Sequence, residues 1–142
     1  PATSCTRVRF GDTNILLYAI SRDPESEAKR RRANEIVFSR DIALSVQVLQ
    51  ELYVQATRVS RPDALSHQQA VKLVESLTRF PVLETSVALI RAAMVARESF
   101  QLSYWDAAII EAARLLECDV VLTEDLNDGQ DYDGVVVRNP FR

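Results

Sequence analysis

Histidine and cysteine are nearly missing from this chain, with one His and two Cys in 142 residues. Cys5 and Cys118 lie far apart, and a single His cannot complete a four-ligand zinc site with them. They give no disulfide scaffold either, so a reducing cytoplasm is the expected setting. Glycine occurs three times. No G-x-G-x-x-G or Walker A loop is present, which leaves nucleotide cradles unsupported, and there is no G-x-S-x-G elbow. No apolar run approaches the roughly 20 residues that span a bilayer, and no apolar signal core opens the chain, so no membrane association is expected. Lysine is limited to Lys29 and Lys72, leaving the positive charge to Arg, which suits bidentate phosphate contacts. A net charge of −3 argues against a general nucleic-acid coat but leaves room for local basic patches.

What is present describes one globular domain over residues 1–142, with 47% hydrophobic and 26% charged residues. Val8 and Phe10 alternate with Arg7 and Arg9, predicting a short strand with one face buried; Asp12 continues the inward parity as the strand ends. A helical stretch follows from about Asn14 to Ile20. Asp23-Pro24 opens a helix to about Phe38. Ile42–Leu44 reads as a strand, after which Ser45 caps a helix to about Arg58. Ser66 and Gln69 form a capping box for a helix ending near Arg79. Pro81–Leu83 is a short strand, Ser86 caps a helix to about Glu98, and Ser103 another to Glu117. Val120–Thr123 reads as a central strand buried on both faces, and Val135–Val137 as the last strand. Such alternation predicts an α/β fold of three α/β/α layers around a mostly parallel sheet of about five strands. Sites in such sheets lie beyond the carboxyl ends of the strands, where Asp12 and Asp125 fall.

Four acidic residues stand where elements begin or end: Asp12, Glu51, Asp106 and Asp125. Burying several unpaired carboxylates is expensive, so if the fold gathers them a hard cation such as Mg²⁺ or Mn²⁺ is the natural neutraliser. Asp12 reads as a turn residue or, by its inward parity, as a ligand. Glu51 has Val48 and Val54 at i−3 and i+3, which predicts at least partial burial. Asp106 sits at the third position after Ser103 in a capping-box pattern, yet it also crowns the stripe Ile109, Ile110, Ala113; the ligand reading is preferred. Asp125 is preferred in the run after the buried strand, with Thr123 behind it and Asp128 as auxiliary; Glu124 is expected to face solvent. His67 is expected at the surface. Lys29, Arg30, Arg31 and Arg32 read as a solvated helix face or, more weakly, as an RNA phosphate contact. Tyr104 and Trp105 could stack on a base or pack in the core.

These motifs resemble PIN-domain ribonucleases along essentially the whole chain. Phe10-Gly11-Asp12-Thr13-Asn14 followed by Leu17-Tyr18-Ala19 is similar to the family's opening strand and turn. Glu51 within Val48-Leu49-Gln50-Glu51-Leu52 matches its helical Glu, Tyr104-Trp105-Asp106-Ala107 its third acidic motif, and Leu122-Thr123-Glu124-Asp125 its fourth. Gly11 stands where a bulkier apolar residue is common. The ending, from Asp128-Gly129-Gln130 to Asn139-Pro140-Phe141, looks most like the VapC branch of toxins. The resemblance implies an endoribonuclease dependent on Mg²⁺ or Mn²⁺, with Asp12, Glu51, Asp106 and Asp125 catalytic. Asp12, Asp106 and Asp125 would be the metal ligands, Glu51 and Asp128 auxiliary, with Thr13, Asn14 and Thr123 in support. It also implies a cognate VapB-type antitoxin, a homodimer and a structured RNA substrate.

The expected mechanism is metal-assisted phosphodiester hydrolysis, with carboxylates handling protons because no usable His is present. Two rivals stand beside it. One is a PIN-like binding module without catalysis. The other is a Mg²⁺-dependent phosphoryl-transfer or receiver domain, which needs a close acidic pair and a well-placed Lys; here Asp12 is followed by Thr13 and Asn14.

Overall fold

The computed structural model describes residues 8–142, so Arg7 and Cys5 lie outside the described residues. Six strands form one sheet in the order β3-β2-β1-β4-β6-β5. They are β1 Arg9–Gly11, β2 Ile42–Ser45, β3 Val82–Leu83, β4 Val120–Leu122, β5 Asp131–Tyr132 and β6 Val135–Arg138. All pairings are parallel except that of β5 with β6. The helices are α1 Thr13–Ala19, α2 Glu27–Ser39, α3 Val46–Ala56, α4 His67–Leu77, α5 Val87–Phe100 and α6 Tyr104–Leu115. They complete the expected α/β/α layering around a mostly parallel sheet.

The sixth strand exceeds the expected five. β5 is two residues long, too short for any periodicity, and is joined to β6 by Asp133 (φ 52°) and Gly134 (φ 97°). Two consecutive positive φ values form the tight hairpin turn that Asp-Gly favours, so the dipeptide was the available signal. β1 also differs from expectation. It lies between β2 and β4 and is covered on both faces, with Phe10 and Gly11 both buried, while Val8 precedes the strand and is 39% exposed. A Cβ at Gly11 would meet Leu44 and Ile42 at 3.6 and 3.9 Å, ordinary contact distances, so a larger residue is not sterically barred there.

Helix starts follow the caps. Ser45, Ser66, Ser86 and Ser103 each accept a backbone N–H from the first turn, and Ser66 with Gln69 closes both bonds of its box. Asp23-Pro24 starts a single 3₁₀ turn, Pro24–Ser26, before α2 begins at Glu27.

β1 hands the chain toward β2 on one side, and β4 hands it toward β6 on the other. The seam between β1 and β4 is therefore the switch point of the sheet, where a crevice opens beyond the strand ends. The core lies on both sides of that seam: Phe10, Leu44, Leu52, Ile110, Val121 and Val137 are almost wholly buried. Among the described residues no helix is long and apolar enough to cross a membrane.

Candidate active site at the sheet switch point

Asp12 caps α1 where β1 ends, and its backbone N–H donates to Leu122 O at 3.0 Å, tying it to β4. Its carboxylate is buried, 8% exposed. Oδ1 accepts the Thr13 N–H at 2.7 Å, and Oδ2 accepts the Thr123 hydroxyl at 2.9 Å. Thr123 Oγ1 in turn accepts from Asn14 Nδ2 at 3.0 Å and from the Asp125 N–H at 3.1 Å. One hydroxyl proton and two lone pairs are then fully used. Asn14 Nδ2 also donates to Asp125 Oδ2 at 3.0 Å. A single relay, Asp12–Thr123–Asn14–Asp125, thus joins the ends of β1 and β4.

Burial pushes the Asp12 carboxyl up to about 6, against the Thr13 and Thr123 hydrogen bonds that lower it; the negative charges of Asp125 and Glu51 add to the rise. Three acidic groups therefore share one field, though they differ in exposure. Asp125 is exposed, and so is Glu51, contrary to the burial expected from its valine neighbours. The buried stripe of α3 is Val48, Leu49, Leu52 and Ala56; Glu51 falls outside it, and Val54 is 54% exposed. Gln47 Nε2 donates to Glu51 Oε1 at 3.0 Å and reaches Trp105 O at 3.4 Å, connecting α3 to the start of α6.

Asp106 lies half-buried in the first turn of α6. Its N–H is capped by Ser103 Oγ at 3.1 Å, but its carboxylate hydrogen-bonds to none of the described residues, so only half of the capping box exists. The charge of Asp106 is felt by Tyr132, whose phenol is pushed up by burial and then by this carboxylate. Trp105 beside it is 65% exposed, whereas Tyr104 is half-buried against the α5–α6 cluster.

Several candidates are engaged elsewhere. Asp128 Oδ1 accepts the Asn139 N–H at 2.8 Å, fastening the C-terminal segment. Glu124, expected to face solvent, is half-buried and bonded to Tyr18 and Lys29. The basic run is neutralised locally: Lys29 by Glu124, Arg30 and Arg31 by Glu27, Arg32 by Glu35. For the arginines this is the solvated helix face, with pairs at i±3 and i±4. His67 is exposed and meets Tyr53 Oη at 2.9 Å. Gln47 and Tyr18 had no expected role of their own, although Tyr18 lies within the opening motif.

Among the described residues no three His, Cys, Asp or Glu side chains are grouped closely enough to hold a metal ion. The carboxylates form an open arrangement instead of a closed cage. The donor set is all hard oxygen, and the buried Asn14 Oδ1 has no hydrogen-bond partner among the described residues. That combination fits Mg²⁺, which keeps several waters and is usually held through one or two carboxylates plus substrate phosphate.

A cleft of about 800 Å³ starts at this site and runs along α1, lined by Asn14, Leu17, Tyr18, Arg61, Asp63 and Glu124.

The fold is shared with solved structures of low sequence identity. A toxin–antitoxin complex from Klebsiella pneumoniae is 21% identical with a TM-score of 0.66, over 93% of this chain and 97% of that one. The DNA-bound VapBC of Salmonella typhimurium is 20% identical with a TM-score of 0.66, over 95% and 99%. The sarcin–ricin-loop-cleaving toxin VapC20 of Mycobacterium tuberculosis is 19% identical with a TM-score of 0.61, over 80% and 86%. Among curated proteins there is no match to this sequence. The PIN domain family model, however, matches residues 10–129, and the chain belongs to that family.

Proposed function

We propose that this PIN-domain protein is an endoribonuclease that depends on Mg²⁺ or Mn²⁺ and acts as the toxin of a type II toxin–antitoxin pair. The observation that carries the reading is the relay at the switch point, which holds a buried carboxylate beside an exposed one with no cationic side chain among the described residues bonded to either. Such charge is costly unless a cation answers it. PIN-domain proteins are generally nucleases, and the solved relatives named above support the toxin reading. A cytoplasmic setting belongs to it.

Asp12 and Asp125 would hold the cation, with Glu51 and Asp106 completing the negative field and Asp128 as an outlying auxiliary. When bound, the cation supplies Lewis-acid activation of water and neutralises charge gathering on the phosphate. The chain's own groups do the rest. Thr123 and Thr13 fix both oxygens of Asp12, so its orientation is set before substrate arrives. With the only His on α4, proton transfer falls to carboxylates, and Asp12 is the first candidate. Asp106, free of hydrogen bonds to described residues, is the second candidate.

The cleft is the proposed seat of a basic, partly disordered VapB-type antitoxin tail that offers an Arg to the carboxylates. A homodimer belongs to the same reading, and Val87, Ile90 and Met94 give α5 an exposed apolar stripe for it. The receiver-type alternative loses its cation, since Lys29 is committed to Glu124.

The test is to express the chain without a partner and map RNA ends across the cell. Discrete internal cuts that vanish in Asp12→Asn are expected. Intact RNA together with partner binding would favour the non-catalytic module instead.

A further inference from the structure

The acidic loop after β4 is gripped from the side by groups the proposed chemistry leaves unused. Tyr18 Oη donates to Glu124 Oε1 at 2.6 Å, and Lys29 Nζ donates to Glu124 Oε2 at 3.0 Å and to Tyr18 Oη at 3.2 Å. The Lys29 ammonium lies 4.8 Å from the Tyr18 ring centroid and 5.8 Å from that of Phe141. The two rings meet edge to face at 5.0 Å. Residues from α1 and α2 therefore converge on one carboxylate, and Phe141 of the C-terminal segment packs behind them. The adjacent residue, Asp125, is the one that meets Asn14. The side chains of Lys29 and Glu124 are 42% and 23% exposed, and ion pairs so open to water add little stability. Orientation is what the cluster can supply.

We propose that Tyr18 and Lys29 are positioning residues for Asp125: by clamping Glu124 they fix the turn that aims the Asp125 carboxylate at Asn14 and the Asp12 site. The inference rests on the nuclease reading and extends it to residues outside the acidic four. Phe141 closes the clamp by covering the Tyr18 ring. Two of the three Lys29 protons are already spent inside it, so Lys29 is a fastening before it is a phosphate contact.

Tyr18→Phe tests this without altering charge, because the ring and its packing on Phe141 remain. Losing such an outer partner costs about ten- to a hundredfold in activity or metal affinity. Tyr18→Phe and Glu124→Gln should each lower kcat about tenfold with KM unchanged. The double variant should lose no more than the worse single, since both break one interaction. Mn²⁺ affinity of the RNA-free chain, read by electron paramagnetic resonance, should weaken in Tyr18→Phe and stay unchanged in Lys72→Met. Additive losses, or a Mn²⁺ affinity in Tyr18→Phe equal to wild type, would overturn the clamp while sparing the nuclease reading. So would Lys29→Met raising KM at constant kcat, which would make Lys29 an RNA contact. If the wild-type chain cuts no RNA, the nuclease reading fails, and the Mn²⁺ comparison decides the clamp alone. A chain that neither cuts RNA nor binds Mn²⁺ overturns both.

Discussion

Thr123 donates its hydroxyl to Asp12 Oδ2 across 2.9 Å, a buried bond between residues 111 apart in sequence. Because the same oxygen also accepts from Asn14 and from the Asp125 N–H, its proton can go only to Asp12. The direction of this bond makes Asp12 an acceptor and favours its charged form, against burial that favours the neutral one. The site is held in that tension.

The tension gives a pH dependence. Asp12 is raised from 3.8 to about 6 by burial, so the folded chain holds this proton more tightly than the unfolded chain does. The stability it contributes is fully present below about pH 3.8 and is lost as pH rises through about 6. In EDTA, the stability difference between Asp12→Asn and wild type should therefore move toward the variant by roughly 2 kcal/mol from pH 4 to pH 7. Urea melts at the two pH values measure it. A constant difference would mean that Asp12 titrates normally.

Asp106 and Ser103 separate chemistry from capping. The Asp106 carboxylate bonds to none of the described residues, so Asp106→Asn should lose most nuclease activity and only about 0.3–1 kcal/mol of helix-terminus charge interaction. Ser103→Ala removes the cap bond itself and should cost about 1 kcal/mol while retaining turnover. Thermal midpoints and turnover on both variants check this. The reverse pattern would return Asp106 to a helix-capping role.

The element order and the four cap positions were legible because serine caps and apolar periods are local signals. Asp12 was legible as the residue that ends the first strand, although the alternation used to point it inward did not hold, since Gly11 is buried and Val8 is exposed. Glu51 was not: valines at i−3 and i+3 flank it in sequence, but the core-facing stripe of α3 runs through Leu49 and Leu52. Glu124 was misjudged for a different reason. The donors that bury it, Tyr18 and Lys29, are 106 and 95 residues away, and a loop of acids offers no local clue to which one turns inward. β5 was overlooked because two residues carry no period, although Asp133-Gly134 marked its turn.

The cleft beginning at Asn14 and Glu124 is the proposed seat of the partner. A basic tail lying there would compete with both metal and RNA, and its ordering would draw on the long contact surface. The chain purified with its neighbouring gene product should cleave RNA far more slowly than the free chain, and mutating the product's pocket-directed Arg should restore the rate. A complex that cuts as fast as the free chain would rule out inhibition by occupation.

In the proposed mechanism the switch-point carboxylates work through a divalent cation. The most direct measurement is cleavage of a labelled RNA by the purified, partner-free chain, compared in Mg²⁺, in Mn²⁺ and in EDTA, with Asp12→Asn and Asp125→Asn alongside. Cleavage is expected with either cation, none in EDTA, and loss in both variants while their folds persist. Undiminished cleavage in EDTA, or wild-type rates from Asp12→Asn, would contradict it.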